Sequence, residues 1–210
     1  MYVPAHFEET RPGVLRHLIR EHPLAALVTL GPAGLDANHI PLELDPQLAP
    51  LGTLRGHVAR ANPVWRDFSA ELEVLAVLQG AQSYVSPSWY PSKQENGKVV
   101  PTWNYIVVHA YGPMRIVEDP VWLRGLVERL TQRYEAGRAE PWKVADAPAD
   151  YIEKMLSAIV GIEIPITKLV GKWKVSQNRS AADREGVARG LREVEDVNAL
   201  AMAEVVAQRS

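Results

Sequence analysis

Residues 24–44 read LAALVTLGPAGLDANHIPLEL. Leu24–Leu30 is an apolar run of strand length. Gly31-Pro32-Ala33-Gly34 is a turn, and residues 35–44 resume with rough alternation of apolar and polar side chains. Two such runs joined by a short Gly/Pro turn predict an antiparallel hairpin. Outward from it, strand character recurs at Thr53–Ala59, at Leu72–Gln79 with an extension over Gln82–Ser86, at Val99–Tyr111, and at Ile159–Val175 with an interruption at Pro165. On the Val99–Tyr111 strand, Trp103, Tyr105, Val107, His109 and Tyr111 share one face, and Thr102, Asn104, Ile106, Val108 and Ala110 share the other.

Helix signals fall between these runs. Residues 10–22 carry a stripe of Val14, Leu15, Leu18 and Ile19, with Thr10 as cap, Pro12 in the first turn and His22-Pro23 as the stop. Asn62-Pro63 predicts the start of a short helix. Asp119-Pro120 starts another that runs to about Tyr134, with Leu123, Leu126, Val127 and Leu130 inward and Gly137 closing it. Asp146–Ser157 is a further helix. One more begins at Ser180 and breaks near Gly190, and the last spans Glu195–Ala207. The total is six or seven strands and four or five helices. The helices do not alternate regularly with the strands, which excludes a doubly wound parallel sheet. The expected fold is mainly β with helices, an antiparallel barrel with helices outside. It forms a single domain over residues 1–210, with a C-terminal helical extension over about 180–210.

The composition fits this picture. The chain has 210 residues, 47% hydrophobic and 23% charged, so disorder is excluded as the main state. Its net charge of -2 argues against a sequence-independent DNA clamp, which needs a basic face. With no cysteine there is no disulfide framework, thiolate zinc site, iron–sulfur cluster or thiol catalysis. The start MYVPAHFEETRP does not read as a signal peptide, and no apolar stretch approaches membrane-spanning length, so a soluble cytoplasmic protein is expected.

Three clusters carry chemistry. In the first, Arg55-Gly-His57-Val-Ala-Arg60-Ala-Asn62-Pro63, a strand end delivers His57 and Arg60 to a helix start, where free N–H groups and a guanidinium can hold a phosphate. The plainer reading is a solvated arginine beside an ordinary cap. In the second, Tyr84-Val-Ser86-Pro-Ser88-Trp89-Tyr90-Pro stands with Thr102-Trp103-Asn104-Tyr105. There aromatics can stack on a planar heterocycle while hydroxyls and amides read its edge, or the aromatics are core. The third is Lys172-Trp-Lys174-Val-Ser176-Gln177-Asn178-Arg179-Ser180, a polar strand end where Gln177 and Asn178 can each donate and accept and Arg179 can pair with phosphate or carboxylate, or a basic edge that discourages aggregation. The six histidines show no metal spacing, and GxSxG, GxxxxGK[ST] and GxGxxG are absent. No metal is expected.

The start Met1-Tyr-Val-Pro-Ala-His-Phe7, then Gly56–Trp65, Tyr84–Tyr90, Val100–Tyr105 with Val108–Gly112, and Lys174–Arg179 together resemble the PaiB family, in the family's order. The Lys174-Val pair departs slightly from the expected Lys-Leu. The resemblance implies a split β-barrel related to FMN-binding flavoproteins, a homodimer with FMN at the subunit interface, and the family's description as a negative transcriptional regulator. It implies Asn38, His39 and Ile40 along the isoalloxazine, His57, Arg60 and Asn62 at phosphate and ribityl, and Ser86 and Trp89 where the next strand meets the flavin. Thr102, Asn104, Gln177 and Arg179 would close the site, some from the partner subunit. No catalytic residue is assigned. Alternatives are an FMN-dependent oxidoreductase or flavin reductase acting on a small substrate, direct DNA binding through Arg184, Arg189 and Arg192, and a ligand-free barrel acting as an interaction module.

Overall fold

In the computed structural model, which describes residues 1–208, the 24–44 hairpin forms as the sequence predicts. Strand β2 (Leu24–Gly31) pairs antiparallel with β3 (Gly34–Pro41) from Leu24↔Pro41 to Gly31↔Gly34. Gly34 takes a φ of 106°, a turn conformation that side chains rarely adopt. Pro41 ends β3, and a separate short strand β4 (Glu43–Asp45) follows where the sequence suggested one continuous strand.

The chain divides into two compact units. One comprises residues 23–77 and 110–169. Besides β2–β4 it holds β5 (Thr53–Ala59), β8 (Arg115–Val117) and β9 (Ile159–Pro165), with helices α3 (Pro120–Glu135) and α4 (Ala149–Ser157). Its four-stranded sheet runs β4-β5-β9-β8, all antiparallel. Strand β6 (Val74–Val85) starts in this unit and pairs antiparallel with β2 through Ala26↔Val77 and Val28↔Leu75. Alternation puts Leu54, Gly56 and Val58 of β5 on the buried face, with Ile162 and Ile164 of β9 beside them, both fully buried. Helices α3 and α4 and the 3-10 turn Val144–Asp146 between them make a satellite core of Leu123, Val144, Ile152 and Leu156, against which Trp122 packs. Gly161 has no side chain because Trp122 lies where a Cβ would be, and Gly112 meets the Pro165 carbonyl in the same way.

The other unit comprises residues 1–22, 78–109 and 170 onward. It contains β1 (Glu8–Glu9), α1 (Pro12–Glu21), the end of β6, β7 (Thr102–Gly112) and β10 (Lys168–Lys174), neighbours in the order β1-β10-β7-β6. Helices α2 (Ser92–Asn96), α5 (Ala181–Arg192) and α6 (Val197–Ala207) complete it, and α5 packs on α6.

Several local expectations are corrected. Ten strands are described, because short edge strands such as β1 and β8 carry no period of their own. Strand β6 runs through Gly80 without a break, since Ile106 and Leu18 fill the space of its missing side chain. Thr10 is not a cap. Arg11 stands at the N-cap position and its guanidinium pairs with buried Glu9 at 2.7 Å. The element after Asn62 is a single 3-10 turn, Pro63–Trp65. Helix α3 ends at a right-handed Ala136, with no left-handed glycine closing it. Helix α5 continues past Gly190, which is a notch for the Trp89 ring. Among the described residues no helix is long and apolar enough to cross a membrane.

Truncating Ile162 to Ala should cost about 2–5 kcal/mol, because a fully buried branched side chain leaves a cavity between paired strands. Urea unfolding followed by circular dichroism measures it. A loss under about 1 kcal/mol would show that this sheet face is not a close-packed core.

Candidate functional site

The expected site residues fall into two sets, and each is described within its own unit. In the unit of residues 23–77 and 110–169, one amide joins two motifs. Asn62 accepts from the backbone N–H of Val64 at 2.9 Å, which caps the 3-10 turn. Its Nδ2 donates to Asn38 Oδ1 at 2.8 Å, and Asn38 Nδ2 donates to Asp36 at 2.8 Å. Residues of β3 and of the β5 end are thereby held side by side, 24 positions apart in sequence.

Arg60 stands two residues before Asn62. Its Nε donates to the Ser157 carbonyl at 2.8 Å, one terminal nitrogen to Glu118 at 2.6 Å and the other to the Ile159 carbonyl at 3.2 Å. Its own carbonyl accepts from the Trp65 indole at 3.0 Å. The guanidinium lies 5.7 Å from the Trp65 ring, and that of Arg66 lies 4.1 Å from the same ring. Amides, two guanidinium groups and an indole thus gather at one strand end. A cavity of about 630 Å³ opens beside Arg60, with Glu118, Arg124 and Ser157 on its wall.

The other three residues expected here are dispersed. His39 is exposed on the face of β3 away from the core, opposite Ala26. Ile40 is buried against Gly56 and is a core residue. His57 shares its β5 face with Arg55, whose guanidinium lies 5.9 Å from Trp122. It sits opposite Gly161, the residue over which Trp122 packs. His57 Nδ1 is buried with no hydrogen-bond partner, and burial pushes its pKa below the ordinary value.

In the unit of residues 1–22, 78–109 and 170 onward, most of the expected side chains are engaged internally. Ser86 caps the turn Pro87–Trp89 by accepting from Ser88. The Trp89 ring fills the notch at Gly190, while its carbonyl lies where a Gly186 side chain would be. Asn104, 1% exposed, donates to Ser176 Oγ at 2.9 Å. Gln177 closes its own turn by donating to the Trp173 carbonyl and accepting from Val175 N–H. Between them, Ser176 is held at a φ of 65°. Arg179 lies 5.0 Å from the buried Tyr90 ring, and Thr102 accepts from Lys174.

Sequence reasoning did not assign Lys172 and Lys174 to a ligand. Both lie on one face of β10, and Lys172 stands 5.2 Å from the Tyr105 ring. Their i, i+2 spacing in a strand was the available signal. Trp65 was also left out, although it closes the Gly56–Trp65 motif.

Two antiparallel sheets with helices outside them are the architecture of a split barrel. Comparison with known proteins gives the family. Residues 1–168 match the family described as "Putative FMN-binding domain". The chain belongs to this FMN-binding family, and FMN is its cofactor. It is 35% identical to the uncharacterized protein AN0679 of Emericella nidulans over 244 residues, covering 100% of this chain and 97% of the relative. It is 34% identical to the protease synthase and sporulation protein PAI 2 of Bacillus subtilis over 209 residues, covering 98% and 96%. Among solved structures, the flavocytochrome Anf3 of Azotobacter vinelandii aligns with a TM-score of 0.61 at 11% identity, covering 82% of this chain and 72% of that one. That likeness bears out the split-barrel fold.

The half-buried His57 sets a pH dependence. Burial lowers the His57 pKa in the folded protein, whereas the unfolded chain takes up a proton near the ordinary value of 6.5. Stability should be level above that pH and fall as pH drops through it, because the unfolded state then binds more protons. His22 and His109 are also lowered by burial and add to the slope. Urea midpoints measured from pH 7.5 to 5 should fall, and less steeply in His57→Gln. An equal slope in both proteins would remove His57 from the account.

Proposed function

We propose that this chain is a homodimeric FMN protein of PaiB type, in which the Arg60–Asn62 strand end and Asn38 hold the phosphate and ribityl of the flavin. The observation that carries this reading is the Asn62–Asn38 hydrogen bond at 2.8 Å, with Arg60 beside it. The donor set fits the group. A guanidinium suits a phosphate, amides suit ribityl hydroxyls, and an indole suits a flat ring. Bound FMN supplies one- or two-electron chemistry, which belongs to the cofactor. The chain's own work is to bind and orient it. Glu118 holds one arm of Arg60, so a phosphate must take that arm from a carboxylate.

The dimer belongs to the same reading. On β2 and β3 the face turned from the core carries Leu24, Ala26, Val28 and Leu30 opposite Pro41, His39, Ala37 and Leu35. Leu35 is 79% exposed and Leu24 61%. Leu75 and Val77 of β6 extend the apolar rows. A second copy of this face is the occupant we assign, since one exposed apolar sheet face is complementary to itself about a two-fold axis.

The resemblance to the PaiB family is what supports a regulatory role with flavin as effector, the Bacillus subtilis relative being named for protease synthase and sporulation, and the reading includes a cytoplasmic location. Direct DNA contact is less favoured. Arg192 pairs with Glu204 at 3.1 Å, and Arg184 donates to the Arg179 carbonyl.

FMN titration followed by flavin fluorescence, with sedimentation in parallel, tests the proposal. Arg60→Ala should weaken FMN binding about ten- to a hundredfold, the range for losing a charge-assisted hydrogen bond. Glu118→Gln should tighten it by freeing the guanidinium. Leu35→Glu should give monomers. Unchanged FMN affinity in both Arg60→Ala and Glu118→Gln would contradict the site. Bleaching of bound flavin by NADPH alone would replace the effector role with a reductase activity.

A further inference from the structure

Strands β7 and β10 present a face that the FMN reading above does not use. Trp103 is 54% exposed and meets half-exposed Tyr84 edge-on, with ring centroids 6.2 Å apart. Tyr105 lies on the same face of β7. Beside these rings stand two ammonium groups. Lys172 is only 8% exposed, yet its partners are neutral. Its Nζ donates to the Tyr2 carbonyl at 3.1 Å and stands 5.2 Å from the Tyr105 ring. Glu8 is its cross-strand neighbour, but no ion pair joins them among the described residues. Lys174 donates to Thr102 Oγ1 and, at 2.7 Å, to the Trp103 carbonyl. Burial lowers the Lys174 pKa first, and the charges of Lys172 and Arg179 add to the effect. The described hydrogen bonds of these two ammonium groups go to carbonyls and a hydroxyl, and desolvated charge normally has a counter-ion. Exposed indole and phenol rings at its edge are surfaces on which a flat molecule can stack.

We infer that this face is a second ligand site, which takes a planar aromatic anion with its ring against Trp103 and Tyr84 and its negative group at Lys172 and Lys174. The ligand is small, because the cation pair and the aromatic pair lie within a few residues of one another on adjacent strands. The site stands on a different set of side chains from the Arg60–Asn62 patch. No reaction is assigned to it. The chemistry that recognises the ligand is one negative charge and one flat ring system.

The probe is 2-naphthoate, titrated into the full-length protein with and without saturating FMN and followed by tryptophan fluorescence and calorimetry. One saturable site per chain is expected in both conditions. Lys174→Gln should weaken it about tenfold, the loss of one charge-assisted hydrogen bond. Trp103→Phe should abolish most of the fluorescence change while keeping binding within a few fold, and Trp103→Ala should lose binding as well. Circular dichroism and FMN affinity should match the parent in Lys174→Gln, which separates a lost site from a lost fold. Three results overturn the inference. They are no saturation at millimolar naphthoate, competition between naphthoate and FMN, or a fall in FMN affinity in Lys174→Gln. The last two assign the face to the flavin. Loss of FMN binding in Arg60→Ala with naphthoate binding intact would support two separate sites.

Discussion

One side-chain amide governs the geometry of the candidate flavin site. Asn62 accepts from Val64 N–H and so turns the chain at the end of β5, while its NH₂ group reaches Asn38 on β3. Each bond alone is ordinary and worth about 1 kcal/mol. Made by one residue, they couple the turn to the hairpin. Arg60 is carried along because it lies on the same three-residue stretch, and its three guanidinium nitrogens donate to the Ser157 carbonyl at the end of α4, to Glu118 just after β8 and to the Ile159 carbonyl of β9. The result is a fixed cation next to fixed amides, which is what a phosphate ester needs at low entropic cost.

Close approaches of backbone to ring or carbonyl shape each unit. Trp122 can pack on β9 only because residue 161 is glycine, and that packing covers the face on which His57 lies. The uncompensated nitrogen of His57 is a cost of the covering. In the other unit, Gly186 and Gly190 let α5 approach the Ser86–Tyr90 segment closely enough to seat Trp89. Asp183 adds two hydrogen bonds from Ser92, at 3.1 and 2.9 Å, that pin the next residues of the same loop. Small residues here act through what they admit.

Much of the fold was legible because strand pairing follows local rules. The Gly31–Gly34 turn announced the hairpin, Asn62 and Asp119 announced their caps, and Pro23 ended α1 where expected. The misreadings came from residues whose role is set by a distant partner. Gly190 looked like a helix break until Trp89, about a hundred positions earlier, explained it. The site was legible only in part for the same reason. Asn38, Arg60 and Asn62 were named from the motif order of the family, and the structure brings them together. Asn104 bonds Ser176 and Gln177 bonds local backbone, and sequence does not reveal such partners. Glu118 as the partner of Arg60 was invisible, since 58 residues separate them.

The central claim is that FMN is held at the Arg60–Asn62 strand end. The most direct test is a crystal structure of the protein with FMN. The account predicts the phosphate within hydrogen-bond distance of Arg60, with Glu118 displaced from the guanidinium. A phosphate held by Lys172 and Lys174, with Arg60 still paired to Glu118, would contradict it.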